Sequence, residues 1–91
     1  MKQVVRTQTY QDDLNAIEAR IALDNPSAGV DMWFLIDDQV ESLGDENFPR
    51  RLGRVHDTSE LVAHPNYVVI MEENATTVTV LNVVHARQKW P

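Results

Sequence analysis

The hydrophobic period changes once along this chain, from helical to strand-like, and that change sets most of what the chain can fold into. Tyr10, Leu14, Ile17 and Ile21 follow one another at steps of four, three and four. Such spacing places them on one stripe of an amphipathic helix. Val30, Trp33, Ile36, Val40 and Leu43 form a second stripe, widened by Phe34 and Leu35, with acids between them. Thr9 is the expected cap of the first helix, with Asp12 and Asp13 near the positive end of its dipole. Asp24-Asn25-Pro26 ends that helix, because a residue before proline avoids the α region. Asn25 then caps the second helix and Pro26 opens it. Gly44 fits the left-handed position just past its end. Residues 10–44 therefore predict a helical hairpin, antiparallel because its break is so short, with Trp33 in the core.

Beyond residue 44 the pattern differs. Residues 45–57 lack periodicity, contain Pro49 and Gly53, and read as a loop. Then a period of two takes over. Thr58–Ala63, Tyr67–Glu72 and Thr76–Val84 are β-prone runs separated by His64-Pro65-Asn66 and Glu73-Asn74-Ala75, which are turn chemistry. Tight turns between successive strands predict an antiparallel meander. Residues 2–8, with Val4 and Val5 between polar neighbours, predict one further strand before the helices. The expected fold class is α+β, in the order β-α-α-β-β-β, with the helical hairpin packed on one face of a mostly antiparallel sheet. Regular alternation would send Val78, Val80, Asn82 and Val84 to one face of the last strand and Thr79, Leu81, Val83 and His85 to the other. Both sets are largely apolar, so that strand is expected to be central and covered on both faces, one cover being a partner chain.

Length admits one domain, residues 1–91. Hydrophobic residues at 43% and charged residues at 24% argue against disorder. So short a chain buries only about 60–65% of its unfolded surface, so its stability is modest or borrowed from a partner. Cysteine is absent, which excludes a disulfide framework, a thiolate metal site and a cysteine nucleophile. No apolar run approaches membrane-spanning length, and the expected location is the cytoplasm, without membrane association.

The net charge is −6, which argues against a generic phosphate-binding surface. Its distribution is uneven. Asp12 to Glu46 holds ten acids and one base, whereas Arg50, Arg51, Arg54, Arg87 and Lys89 hold five of the eight positive charges. The ordinary alternative for Arg50, Arg51 and Arg54 is a solvated loop. The functional alternative joins them to the His85/Arg87/Lys89 end as one basic face. His85 and Arg87 would share a face if the last strand ran through both, and a histidine beside a fixed cation can serve as acid or base against a phosphodiester. A polar strand end explains the same spacing. His56, His64 and His85 match no zinc spacing, and no glycine-rich phosphate loop or serine nucleophile elbow is present. No cofactor or metal is expected. Trp90, next to Pro91, is expected to pack back onto the domain or onto a partner.

Several of these segments occur together in a known order. Gly53-Arg54, Thr58-Ser59-Glu60-Leu61-Val62, His64-Pro65-Asn66-Tyr67-Val68-Val69, the run from Val78 to Arg87 and the closing Trp90-Pro91 resemble the RelE/ParE superfamily of toxins from bacterial type II toxin–antitoxin modules. Asp13-Leu14 with Ile17, then Asn25-Pro26 and Ala28, agree in the first half. The resemblance covers nearly the whole chain.

It implies a growth-inhibiting toxin of the plasmid-stabilisation type, neutralised by a cognate antitoxin, with operator DNA bound only through that antitoxin. ParE-like members poison DNA gyrase. RelE-like members are metal-independent endoribonucleases that cut mRNA on the ribosome. On the RelE-like alternative the chain is an enzyme and His85 and Arg87 are its catalytic residues. The resemblance favours the ParE-like reading, because Val68, Met71 and Glu72 stand where a ribonuclease usually carries a basic residue, and an acidic chain makes few phosphate contacts. The residues expected to touch the target are Arg50, Arg51, Arg54, His85, Arg87, Lys89 and Trp90. A third alternative is a diverged, non-toxic module that binds an antitoxin.

Overall fold

In a computed structural model, which describes residues 1–90, the chain begins with strand β1 (Gln3–Arg6) and enters the helical hairpin of α1 (Gln8–Ala22) and α2 (Pro26–Ser42). Pro91 lies outside the described residues. Strands β2 (Arg51–Leu52), β3 (Ser59–His64), β4 (Tyr67–Glu73) and β5 (Thr77–His85) follow. They form one five-stranded sheet in the order β1-β5-β4-β3-β2. β1 runs parallel to β5, and every other pairing is antiparallel. The fold is α+β, a helical hairpin on a mixed sheet. The expected element order holds, with the addition of β2, which lies in the segment read from sequence as loop. Two residues are too few to show a period, so only the pairing of Arg51 with Glu60 and Leu52 with Ser59 reveals the strand.

Helix α1 is capped by Thr7, not by Thr9. The Thr7 hydroxyl accepts from the Tyr10 N–H at 3.2 Å and itself donates to the Val80 carbonyl at 2.7 Å. Capping and the junction with β5 are thus met by one side chain, which draws the helix start two residues earlier. Asn25 caps α2 as expected, accepting from the Ala28 N–H at 3.2 Å, with Pro26 in the first turn. Gly44 does not take the left-handed conformation, since no glycine has a positive φ. A Cβ there would lie 2.8 Å from the Lys2 carbonyl oxygen, and the Lys2 N–H donates to the Gly44 carbonyl at 2.8 Å. Glycine at 44 permits the close approach of β1 to the end of α2.

The helices cover one face of the sheet. Tyr10 and Leu14 from α1, with Ile36 and Val40 from the second half of α2 and Leu43 just beyond it, meet Leu61, Val69, Met71, Val78, Val80 and Val83 from the strands. Trp33 packs against this core without being buried in it, and its indole donates to Asn15 at 3.0 Å. Val30, Phe34 and Leu35 do not widen the buried stripe and are exposed. At 100° per residue they sit roughly 100° or more from the centre of the face that Ile36, Val40 and Leu43 define.

Strict alternation fails in β5. Ile70 pairs with Asn82 but Met71 pairs with Val80, so Leu81 is an extra residue, a β-bulge. Val78 and Val80 face the helices as a pair, and after the bulge it is Val83 that joins them, while Leu81 and Val84 pack on the opposite face. The faces expected of Val83 and Val84 are therefore exchanged. β5 is central, between β1 and β4. The face away from the helices carries a second, smaller cluster of Val68, Ile70, Val84 and Trp90, with Leu81 against it.

Candidate functional site

Alternation along β3 determines what lies beside that smaller cluster. Leu61 and Ala63 belong to the helix-side core, so Glu60 and Val62 point to the open face. Glu60 is only 3% exposed. A lone buried carboxylate would be strongly disfavoured, and this one is surrounded by donors. Arg51, its cross-strand partner on β2, places Nε at 3.0 Å and Nη2 at 2.9 Å from Oε1. The Arg54 backbone N–H donates to Oε2 at 3.1 Å, and the Arg54 Nε lies 3.9 Å from the same oxygen. Burial pushes the Glu60 carboxyl up, but the Arg54 N–H bond, the Arg51 bond and the charges of both arginines outweigh it and hold it below the usual value.

The loop that carries Arg54 closes through Gly53, whose N–H donates to the Thr58 carbonyl at 2.9 Å. A Cβ on residue 53 would stand 2.1 Å from the Thr58 hydroxyl oxygen. The Thr58 hydroxyl donates to the Val55 carbonyl at 2.7 Å, and Asp57 adopts the left-handed conformation with φ 63°. So braced, the loop sets the Arg54 guanidinium 3.8 Å above the centroid of the Trp90 ring. Geometry of this kind is a cation–π stack, worth about 0.5–1 kcal/mol at an exposed site and more when desolvated. Trp90 packs back onto the domain as expected, 8% exposed, against Val68, Ile70 and Val84. Beside it runs a groove of about 460 Å³ in which the apolar Val55, Ile70, Leu81 and Val84 alternate with polar and charged side chains, Glu72 and Lys89 among them.

The structure thus brings together Arg51, Arg54, Lys89 and Trp90 of the residues expected to touch a target. Arg50 is placed elsewhere. Its side chain is 12% exposed, donates to Glu73 at 2.6 Å and to the carbonyls of Leu43, Asp45 and Phe48, and ties the end of α2 to the sheet. His85 also points away from the stack. It closes β5 with its ring edge-on to Tyr67, 5.4 Å between centroids, and lines a small cleft on the helix side with Asp13 and Arg20. The strand does not run on to Arg87. The Gln88 N–H turns back to the His85 carbonyl at 2.8 Å, and the Arg87 N–H donates to His85 Nδ1 at 3.1 Å. The shared strand face expected of His85 and Arg87 is lost in that turn, and Arg87 stays exposed. Among the described residues no cluster of histidine and carboxylate side chains has the makings of a metal site, and no helix is long and apolar enough to cross a membrane.

Glu60 is the residue that the sequence did not single out. Its signal was an acid at the head of an apolar run, Glu60-Leu61-Val62-Ala63, downstream of three arginines. The arrangement as a whole offers cations, an aromatic edge and a partly apolar trough of mixed polarity on one sheet face, suited to gripping a macromolecular surface.

The family model described as the ParE toxin of type II toxin–antitoxin system, parDE, matches residues 4–90. A protein of Sinorhizobium fredii named "Putative toxin Y4kP" is 33% identical over 78 residues, which span 86% of this chain and 81% of that protein. A solved structure described as a chromosomal ParDE TA system from P. aeruginosa superposes with a TM-score of 0.80 at 19% identity, over 93% of this chain and 96% of that one, and shares the fold. The chain belongs to the ParE family of toxins from type II toxin–antitoxin systems.

Proposed function

We propose that this toxin arrests growth by acting on DNA gyrase, that it grips its target through the open sheet face and the C-terminal segment, and that a cognate antitoxin neutralises it. The observation that carries the reading is the stack of Arg54 on Trp90 beside the groove edged by Lys89, in a chain of the ParE family. Arginine and tryptophan beside a partly apolar groove are the composition of a protein-binding hot spot. Arg51, Arg54, Lys89 and Trp90 form its body, with Arg87 exposed in the turn that leads to it, His85 turned to the helix side and Arg50 behind it as a brace. The ribonuclease alternative has less in its favour. The His85 ring packs on Tyr67, and Nδ1 is engaged by the Arg87 N–H, so neither group is poised with the other against a phosphodiester.

The antitoxin is the partner suited to the apolar surface left on the helical hairpin, where Val30, Phe34 and Leu35 are exposed. An amphipathic segment laid along it buries that surface. Operator DNA is reached only through the antitoxin, and the complex acts in the cytoplasm. Inducing the chain with and without the product of the adjacent reading frame tests the whole reading. The expected result is growth arrest with DNA-damage signalling, inhibition of purified gyrase, and relief by the co-expressed product. Transcript cleavage preceding any DNA damage would assign the RelE-like mechanism, and a harmless chain that still binds the product would assign a diverged antitoxin-binding module.

A further inference from the structure

We infer that Glu60 is the positioning residue of the open-face surface: it fixes the Arg54 loop so that the guanidinium covers Trp90 and pins the C-terminal segment to the sheet. The inference rests on the proposed reading of that surface as the target contact, and it adds the residue that holds the contact in shape.

The C-terminal segment needs such a device. β5 ends at His85. The Ala86 N–H still reaches the Asn66 carbonyl at 2.7 Å and the Gln88 N–H the His85 carbonyl at 2.8 Å, but among the described residues no backbone hydrogen bond holds Lys89 or Trp90. The indole Nε1 of Trp90 is buried without a partner among the same residues. What keeps Trp90 in place is therefore the apolar seat of Val68, Ile70 and Val84 below it and the Arg54 guanidinium above it. Arg54 is half exposed and flexible by nature, and Glu60 is the carboxylate that meets it, through the backbone N–H and at the Nε. Glu60 divides its two oxygens between two tasks. Oε1 takes Arg51, and Oε2 takes Arg54.

Stability alone does not explain a carboxylate at this strand position. Replacing a buried ion pair by apolar residues of similar volume is often neutral or stabilising, and the neighbouring positions Val68 and Ile70 of the same face are apolar. What the acid provides is the fixed direction of the Arg51 guanidinium and, through the Arg54 N–H and the nearby charge, the path of the loop whose guanidinium stacks on an aromatic ring as lysine cannot.

The indole N–H exchange rate of Trp90, followed by NMR in the full chain, reads the seat directly, since its protection comes from burial and not from a hydrogen bond. In Glu60→Gln and in Arg54→Ala the exchange is expected to rise about fivefold, the factor that loss of a stack of this size implies. Arg51→Ala, which leaves the Oε2 arm intact, is expected to leave Trp90 exchange unchanged. Growth arrest on induction is expected to weaken in Glu60→Gln and Arg54→Ala together. Unchanged Trp90 exchange in a folded Glu60→Gln, or an equal rise in Arg51→Ala, overturns the positioning role. If Glu60→Gln does not fold, Arg54→Ala decides by the same readout, and continued protection of Trp90 there overturns it. Release of Trp90 with undiminished growth arrest overturns the target-contact reading and leaves the positioning role standing.

Discussion

The Tyr10 hydroxyl donates to Asp37 Oδ1 at 2.9 Å, the same oxygen that receives the Arg6 Nε at 2.9 Å. One carboxylate thus joins β1, α1 and α2 at the edge of the core. Burial first, then the hydrogen bond to Asp37 and its negative charge, push the Tyr10 phenol far above its ordinary range. Burial opposes the charge on Arg6, but the bond to Asp37 and the carboxylates of Asp37 and Glu41 prevail and raise it. The phenol is a committed donor and the guanidinium a permanent cation at any working pH.

Two substitutions separate these roles. Tyr10→Phe removes one hydrogen bond while leaving Asp37 paired with Arg6, and is expected to lower the unfolding free energy by about 1 kcal/mol. Asp37→Ala strands a buried hydroxyl and a partly buried guanidinium together, and is expected to cost about 2–3 kcal/mol. Urea unfolding followed by circular dichroism checks both, and equal effects would mean that Asp37 does not act as the shared acceptor.

Arg50 and Arg54 are close in sequence and opposite in role. Arg50→Ala leaves Glu73 to Lys2 alone and frees the carbonyls of Leu43, Asp45 and Phe48, and is expected to destabilise by about 2 kcal/mol. Arg54→Ala is expected to change stability by about 1 kcal/mol, the worth of its stack, while weakening growth arrest more. Thermal melts set against induction assays rank the two variants. A structural loss larger at Arg54 than at Arg50 would reverse the assignment.

How far these roles were legible in the sequence varies with the interaction. The periods of Tyr10-Leu14-Ile17 and Ile36-Val40-Leu43 exposed the hairpin because burial on one face leaves a local repeat. Asn25-Pro26 marked its cap because capping is a contact between near neighbours in sequence. Nothing local distinguishes Thr7 from Thr9 as a cap, because the advantage of Thr7 is the bond to the Val80 carbonyl, 73 residues away. The exchanged faces of Val83 and Val84 come from a bulge whose extra residue, Leu81, is as β-prone as its neighbours. The aromatic character of Trp90 predicts packing on the domain or on a partner, but its contact Arg54 and the anchor Glu60 become visible only when β2 and β3 are paired. The split between Arg50 and Arg54 is likewise tertiary, since both are arginines in one aperiodic segment.

Glu60 links the loop to pH. Its carboxyl is held below the ordinary value in the folded state by the Arg54 N–H, by the Arg51 bond and by both charges, which together exceed the opposing effect of burial. A depressed folded-state value means that its contribution is complete above the unfolded carboxylate value, roughly pH 4–5, and is lost as pH falls through the lower folded value. Once protonated, Glu60 leaves Arg51 and Arg54 with their neutralising charge removed. The stability difference between the parent chain and Glu60→Gln is therefore expected to be constant from neutrality to about pH 5 and to shrink below it. Unfolding free energies of both chains across that range check the sign. A difference that grows on acidification would mean that burial, and not the arginines, governs this group.

The contribution of the C-terminal segment to toxicity separates from that of His85 when each is altered without emptying the Trp90 seat. Arg87 and Lys89 are exposed, and their double replacement by alanine is expected to leave melting within about 0.5 kcal/mol of the parent. On the gyrase reading the same double variant loses much of its growth arrest, because exposed cations at the rim set the encounter with an acidic partner surface. His85→Gln keeps a polar group beside Tyr67 and is expected to weaken arrest only partly. Removing residues 86–91 is expected to abolish arrest, but it also uncovers Val68, Ile70 and Val84, so its melting must be measured alongside. On the ribonuclease alternative, His85→Gln or Arg87→Ala alone would each remove most transcript cleavage with the fold intact, since general acid–base catalysis by His85 would supply about 10²–10⁴-fold and stabilisation of the transition-state charge by Arg87 about 10²–10³-fold. Growth arrest, gyrase inhibition and transcript cleavage measured on these variants decide between the two, and codon-specific cleavage in the parent that vanishes in His85→Gln would sink the gyrase mechanism.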